Sequence, residues 1–299
     1  MESFVIITAY LLIGVALRRT GKFHAETGNV LNSFVIYVSL PAVILLKVPE
    51  LTLSAELLVP AVMPWVMLLF SVVAVLFVSR VFTMERQVTG VLLLLVPLGN
   101  TSFLGYPMVR AFLGERAVSY AVLYDQIGSF PALAIYGSII AAIYGVEKGG
   151  TTTRNTIRDI VTFPSFIAFV AAFALRPFHY PAMLVSLLSA LAATLVPVVM
   201  ICIGFQLTLR VSQNARKALF FGLLIKLIVA PLAALALCKA CGLRGDTVKV
   251  SVFEAGMPPM VSAGALALLA GLPPSLTTAL VGMGLILSFV TLPLLYWLL

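Results

Sequence analysis

Residues 57–79 read LLVPAVMPWVMLLFSVVAVLFVS, twenty-three residues without one Asp, Glu, Lys or Arg. A helix rises about 1.5 Å per residue, so a run of roughly 20 apolar residues crosses the hydrocarbon layer of a bilayer. Runs of this kind recur along the whole chain. Of its 299 residues, 62% are hydrophobic and 10% charged, with a mean hydropathy of +1.13. A soluble domain carries about 25% charged residues. A chain this apolar cannot close into a water-soluble globule, and it reads as an all-α polytopic membrane protein embedded in a lipid bilayer.

With charges, Pro and Gly as punctuation, ten spans are predicted: 3–18, 28–47, 57–79, 87–112, 117–144, 159–175, 182–208, 216–238, 247–270 and 275–298. The longest polar connection, GVEKGGTTTRNTIRD at 145–159, separates a first five-helix repeat (1–144) from a second (159–299), with 145–158 as a cytoplasmic linker. Residues 2–17 resemble a signal peptide, but Arg18 and Arg19 follow the apolar run instead of preceding it, so a retained first helix is expected. If the N-terminus lies outside, eleven of the nineteen Lys and Arg fall in inner loops and seven in outer loops. That bias places both termini on the extracytoplasmic side.

Five spans per half is an odd number, so two homologous halves must enter the membrane in opposite directions. VSLPAVIL around Pro41 matches TLVPVVMI around Pro197 at an offset of 156. LGNTSFLGYPMVRAFLG in the fourth span matches AGMPPMVSAGALALLAG in the ninth at an offset of 157. These correspondences predict an inverted repeat with Pro41 and Pro197 as scaffold or hinge positions. Both the fourth and ninth spans are broken by Pro and Gly. Backbone freed in this way cannot face lipid and must be buried or line a wet cavity. Broken helices at matching places in two inverted repeats point to a transporter binding site; the alternative is two Pro-kinked structural helices.

At these residues the chain resembles the auxin efflux carrier family, which includes plant PIN carriers and bacterial malate or malonate permeases. FVIYVSLPAVIL (34–45), PLGNTSFLGYPMVRAFLG (97–114), YDQIGS (124–129) and EAGMPPMVSAGALA (254–267) carry the resemblance. It implies a ten-helix fold like that of bile-acid:sodium symporters with two crossover helices, carriage of small organic anions by a rocking or elevator motion, and often a homodimer. The long central loop of plant carriers is missing, which resembles a prokaryotic permease of the inner (plasma) membrane. In bile-acid:sodium symporters a Glu at the place of Glu254 ligates sodium, whereas Pro258 and Pro259 stand where those proteins carry amides. A sodium site near Asn100, Thr101 and Glu254 is therefore implied, with sodium or a proton as coupling ion and no cofactor.

The expected substrate-binding set is Asn100, Thr101, Ser102, Tyr106, Pro107, Met257, Pro258, Pro259 and Ser262. Asn100 offers an amide to a carboxylate, or caps the second half-helix. Asp125, about nine residues into the fifth span, is the first candidate for ion coupling, with Gln126 and Glu254 beside it. A charge at the bilayer centre costs at least about 2.5–3.5 kcal/mol, so an acid there should be protonated or paired with a cation. Its alternative role is a hydrogen bond pinning the fifth helix to the broken fourth. On a regular helix Gln126 points about 100° away and Ser129 shares the Asp125 face. Glu254 has the alternative of pairing with Arg244 or Lys249 near the surface. Lys226, mid-span, can hold an anionic substrate or pair with an intramembrane carboxylate. Trp65 and Trp297 read as packing or interfacial anchors.

Other chemistries find little support. CKAC (238–241) lacks a second metal or redox motif, Cys202 is alone, and His24 and His179 stand singly in loops. No basic run with interleaved aromatics supports nucleic-acid binding. An intramembrane enzyme lacks a catalytic set. The leading function is a secondary transporter of small organic anions; the alternative is a membrane receptor that binds such an anion without moving it. The predicted topology is tested by Lys148→Cys, which should react with impermeant thiol reagents only from the cytoplasmic side. Labelling from outside in intact cells would reverse the orientation.

Overall fold

A computed structural model describes residues 2–24, 26–51, 54–145, 161–178, 180–207 and 215–299. Most of the predicted linker lies outside the described residues, as do Lys148, Arg154, Arg158, His179 and Arg210. All regular structure among the described residues is helical. Six helices are long and apolar enough to cross a membrane, which confirms an integral membrane protein.

The helices follow the predicted spans closely. They are α1 (Glu2–Arg19), α2 (Thr27–Lys47), α3 (Ala55–Val81), α4 (Arg86–Leu95), α5 (Tyr106–Leu113) and α6 (Glu115–Tyr144). Then come α7 (Pro164–Ala174), α8 (Ala182–Gln206), α9 (Arg216–Ala240), α10 (Asp246–Ala255), α11 (Val261–Leu269) and α12 (Pro274–Leu298). The predicted fourth span is thus two pieces, α4 and α5, and the ninth is α10 and α11.

Proline shapes these helices from within. It removes one backbone donor and its ring clashes with the carbonyl four residues back, so the turn before it widens. Wide, π-type turns occupy Val35–Ser39, Thr101–Gly105, Asp125–Ser129, Leu133–Gly137 and Ile225–Val229. All but Leu133–Gly137 end two residues before a proline: Pro41, Pro107, Pro131 and Pro231. Wide turns of this kind concentrate at functional sites because they re-aim side chains. Here they carry Asp125 and Lys226. Trp65 donates to the carbonyl of Ile127, inside one such turn, at 3.2 Å. Trp297 is 89% exposed.

Two groups of helices share one continuous apolar core. In one, α1 lies on α8, and α2 lies on α7 and α8. The other gathers α3, α6, α9 and α12 around the two broken helices. Gly14 sits on Ile201, and Arg18 donates to the carbonyls of Phe205 and Leu207 at 3.2 and 2.9 Å, so α1 and α8 run parallel. Ile36 and Leu40 neighbour Phe163 and Ser165, and Arg176 donates to the carbonyl of Leu51, so α2 and α7 also run parallel. Ser39, two residues before Pro41, hydrogen-bonds Thr194, three residues before Pro197, at 2.8 Å. Pro41 and Pro197 therefore flank one contact.

In a bilayer, helices associate by close van der Waals approach, which favours small residues at the seam. A β-carbon at Gly204 would meet the Leu11 carbonyl oxygen at 2.0 Å, and one at Gly14 would meet that of Ile201 at 2.1 Å. Neither obstacle is a flexible side chain. Gly204→Leu should therefore destabilise the protein in detergent by at least about 2 kcal/mol, as overpacking does. Leu187→Ala, on an exposed face, should leave the melt within about 0.5 kcal/mol. Equal melting temperatures for both variants would refute this packing.

Candidate functional site

The first helix stops at Leu95 because Pro97 and Gly99 follow; the second stops at Ala255 because Gly256, Pro258 and Pro259 follow. Their freed backbones meet. Asn100 N–H donates to the Pro258 carbonyl at 2.8 Å, and Met260 N–H donates to the Leu98 carbonyl at 3.0 Å. Gly99 and Pro259 face each other in an antiparallel bridge between these bonds. Two unwound segments that would otherwise strand polar groups in an apolar interior satisfy one another.

The two sides of this crossing differ. Asn100 and Ser102 face a cavity of about 130 Å³ also lined by Asp125, Gln126, Ser165, Met260 and Ser262, with Phe103, Phe130 and Phe163 as apolar walls. Asn100 Nδ2 and Ser165 Oγ are buried with no hydrogen-bond partner among the described residues. Gly99 and Thr101 face the other way, into a gap of about 10 Å³ shared with Lys226, Glu254, Ser71 and Ser129.

Asp125 lies between the two spaces. Its Oδ1 accepts from Thr101 Oγ1 at 2.5 Å; its Oδ2 accepts from Tyr106 at 3.1 Å and from Gln126 Nε2 at 2.8 Å. The fifth span is thereby fastened to the broken fourth. Glu254 is fully buried, and its carboxylate lies against Gly105, where a β-carbon would come within 2.5 and 2.6 Å of the two oxygens. Lys226 Nζ reaches the Ala255 carbonyl at 3.4 Å, and its tip lies 3.0 Å from where a β-carbon on Gly99 would be.

The expected site residues divide accordingly. Asn100, Ser102, Ser262, Asp125 and Gln126 share the larger cavity, while Thr101, Glu254 and Lys226 share the gap. Gln126 and Asp125 face one cavity together, and Ser129 faces the gap, contrary to the regular-helix expectation, because the turn at Asp125–Ser129 is widened. Tyr106 holds Asp125 instead of lining the cavity. Pro107 lines an outer groove with Tyr10 and Pro197. Met257 is fully buried, Pro258 gives its carbonyl to the crossing, and Pro259 packs on Gly284. The alternative of a surface pair for Glu254 is overturned: it sits at the crossing, whereas Arg244 and Lys249 are exposed. Lys226 turns to the gap and not to the cavity. Ser165 and Phe163 were not foreseen; they come from the start of α7, whose proximity to α4 and α5 no local pattern reveals.

The fold and this crossing define a polytopic helical membrane protein in which two broken helices meet. A family model described as membrane transport protein matches residues 1–296, and the chain belongs to that family, the auxin efflux carrier family. An uncharacterized transporter of Methanocaldococcus jannaschii is 26% identical over 271 residues, covering 86% of this chain and 85% of the relative. An uncharacterized transporter of Methanothermobacter thermautotrophicus is 28% identical over 299 residues, covering 98% and 96%.

The Asp125 contacts make a measurable prediction. Thr101→Val should lower stability by about 1.5–3 kcal/mol, the range for a hydrogen bond to a charged group. The loss should shrink in an Asp125→Asn background, since partners in one network couple. Strict additivity in that double-mutant cycle would mean that the Thr101–Asp125 contact contributes nothing.

Proposed function

We propose that this membrane transporter carries small organic anions such as dicarboxylates, coupled to an ion gradient, with the 130 Å³ cavity as the cargo site. The observation that supports this most is the buried Asn100 Nδ2, a donor without an acceptor, facing that cavity. The Nδ2 amine only donates and is matched by an acceptor such as a carboxylate, while the unpaired Gln126 Oε1 in the same cavity is matched by a donor. The Ser165 and Ser262 hydroxyls beside it can also donate. The first turn of α11 lies at the same place and adds its positive end. The cavity is smaller than the usual pocket of about 300–1,000 Å³, which fits a cargo of few heavy atoms.

The parallel pairs α1–α8 and α2–α7, together with the mutual backbone bonds of the two breaks, support ten spans in two inverted five-helix repeats. On this reading the group containing both broken helices moves as a body against α1, α2, α7 and α8, carrying the cargo past the scaffold in an elevator-type step. The membrane is the cell's inner membrane, with both termini outside. A receptor that binds without transport shares the same chamber, and flux separates the two.

Purified protein in liposomes should exchange labelled malonate against unlabelled malonate in counterflow. Asn100→Ala should weaken malonate binding about ten- to a hundred-fold, the loss of one hydrogen bond to a charged group of about 1.5–3 kcal/mol. Binding without counterflow would indicate a receptor; unchanged affinity in the Asn100→Ala protein would place the cargo elsewhere.

A further inference from the structure

The two groups of helices meet through a shared apolar core. Several polar contacts tie helices within a group. In one, Ser39 meets Thr194 and Arg18 reaches the end of α8. In the other, Thr101 and Tyr106 hold Asp125, and Tyr136 donates to the Leu93 carbonyl at 2.8 Å. One charged contact runs between the groups. Lys47, the last residue of α2, sets its Nζ 3.0 Å from Oε1 of Glu115, the first residue of α6.

All the salt bridges among the described residues belong to this one cluster. Lys47 Nζ also meets Glu50 Oε1 at 3.1 Å, and Arg110 of α5 grips Glu115 with Nε at 2.7 Å and Nη2 at 2.9 Å. Gly114, at a φ of +94°, reverses the chain between α5 and α6 and so returns Glu115 onto Arg110. The two-pronged guanidinium contact fixes the Glu115 carboxylate in place. Lys47 is 9% exposed, so its stem is already packed before its amine meets either acid. An isolated surface ion pair contributes little because it must order two long side chains in water. Here the fold does that ordering, and the charges of Glu50, Lys47, Glu115 and Arg110 alternate in sign.

Apolar contact is non-directional and re-forms after a slide. The ion pair does not: a displacement of one helical turn, about 5.4 Å, parts Lys47 from Glu115. We propose that the Lys47–Glu115 pair is a latch that holds the two groups in the arrangement seen here and opens in each transport cycle. Arg110 and Glu50 are positioning residues that keep the carboxylate and the amine aimed at each other. The proposal rests on the elevator reading above. With both termini outside, the latch lies at the outer face, where salt in the medium reaches the half-exposed Glu50 and Glu115 and weakens it.

Spin labels on the native, exposed Cys241 between α9 and α10 and on Leu187→Cys, exposed on α8, place one reporter on each group; Cys202 and Cys238 are buried. Pulsed electron paramagnetic resonance in liposomes then reads the arrangement without any cargo. The labelled parent should show one dominant distance. Lys47→Met should raise a second population about two- to fivefold, the range for breaking a partly exposed ion pair, and Lys47→Arg should match the parent. High salt should move the parent toward Lys47→Met. One unchanged distance in Lys47→Met, or Lys47→Arg behaving as Lys47→Met does, would overturn the latch. In a Cys241→Ser protein, a short bifunctional thiol reagent joining Lys47→Cys to Glu115→Cys should cut malonate counterflow about tenfold or more, while each single variant treated alike keeps its untreated rate. Counterflow at the full rate after cross-linking would also overturn it. If Lys47→Met fails to fold, the cross-link decides alone. A parent that moves no malonate would sink the anion reading and leave the distance measurement to decide the latch.

Discussion

Two hydrogen bonds hold this structure's centre: Asn100 N–H to the Pro258 carbonyl and Met260 N–H to the Leu98 carbonyl. In an apolar interior each unpaired peptide group costs several kcal/mol, so neither broken helix can exist there alone. Each break is tolerated because the other is present. The pairing also sets what lies around it. Asn100 and Ser102 are committed to the larger cavity, and Gly99 and Thr101 to the gap beside Lys226 and Glu254. One short antiparallel contact thereby separates the larger cavity from the gap that holds Lys226 and Glu254.

The prolines that break these helices also aim their polar groups. Asp125 opens a wide turn ahead of Pro131, and Lys226 lies in one ahead of Pro231. Without the widening, Gln126 would turn away from Asp125 and Ser129 would lie beneath it. With it, Gln126 donates to Asp125 and Ser129 belongs to the other space. Thr101 joins the two, lining the gap while donating to Asp125. Glycine supplies the remaining room: the Glu254 carboxylate occupies the volume that any side chain at Gly105 would need. The polar centre is thus assembled from residues whose local backbone is irregular, while the regular helices around it are apolar and face one another or lipid.

Much of this architecture is legible in the chain itself. Apolar run length sets the spans, and Pro and Gly mark both breaks; the observed α4–α5 and α10–α11 junctions fall where PLGN and GMPP stand. The Asp125, Glu254 and Lys226 positions are visible because a charge within an apolar run is costly and rare. What sequence could not supply is the side each residue faces. Periodicity assumes a regular 3.6-residue turn, and the wide turns at Asp125–Ser129 and Ile225–Val229 depart from it. Ser165 and Phe163 escaped notice because only tertiary packing of α7 brings them beside Asn100. Tyr106 was legible as polar, but its partner Asp125 lies nineteen residues away across a helix hairpin.

Access to the chamber offers the most direct measurement. In a protein with Cys241, the exposed native thiol, changed by Cys241→Ser, Ser262→Cys places a thiol in the larger cavity and Thr278→Cys places one in the separate groove between α8, α11 and α12. A small water-soluble thiol reagent should modify Ser262→Cys more slowly as malonate is added, with half-protection at the concentration that half-saturates exchange. Thr278→Cys should react at a rate independent of malonate. Equal protection at both positions, or none at Ser262→Cys while exchange proceeds, would contradict a cargo site at the crossing.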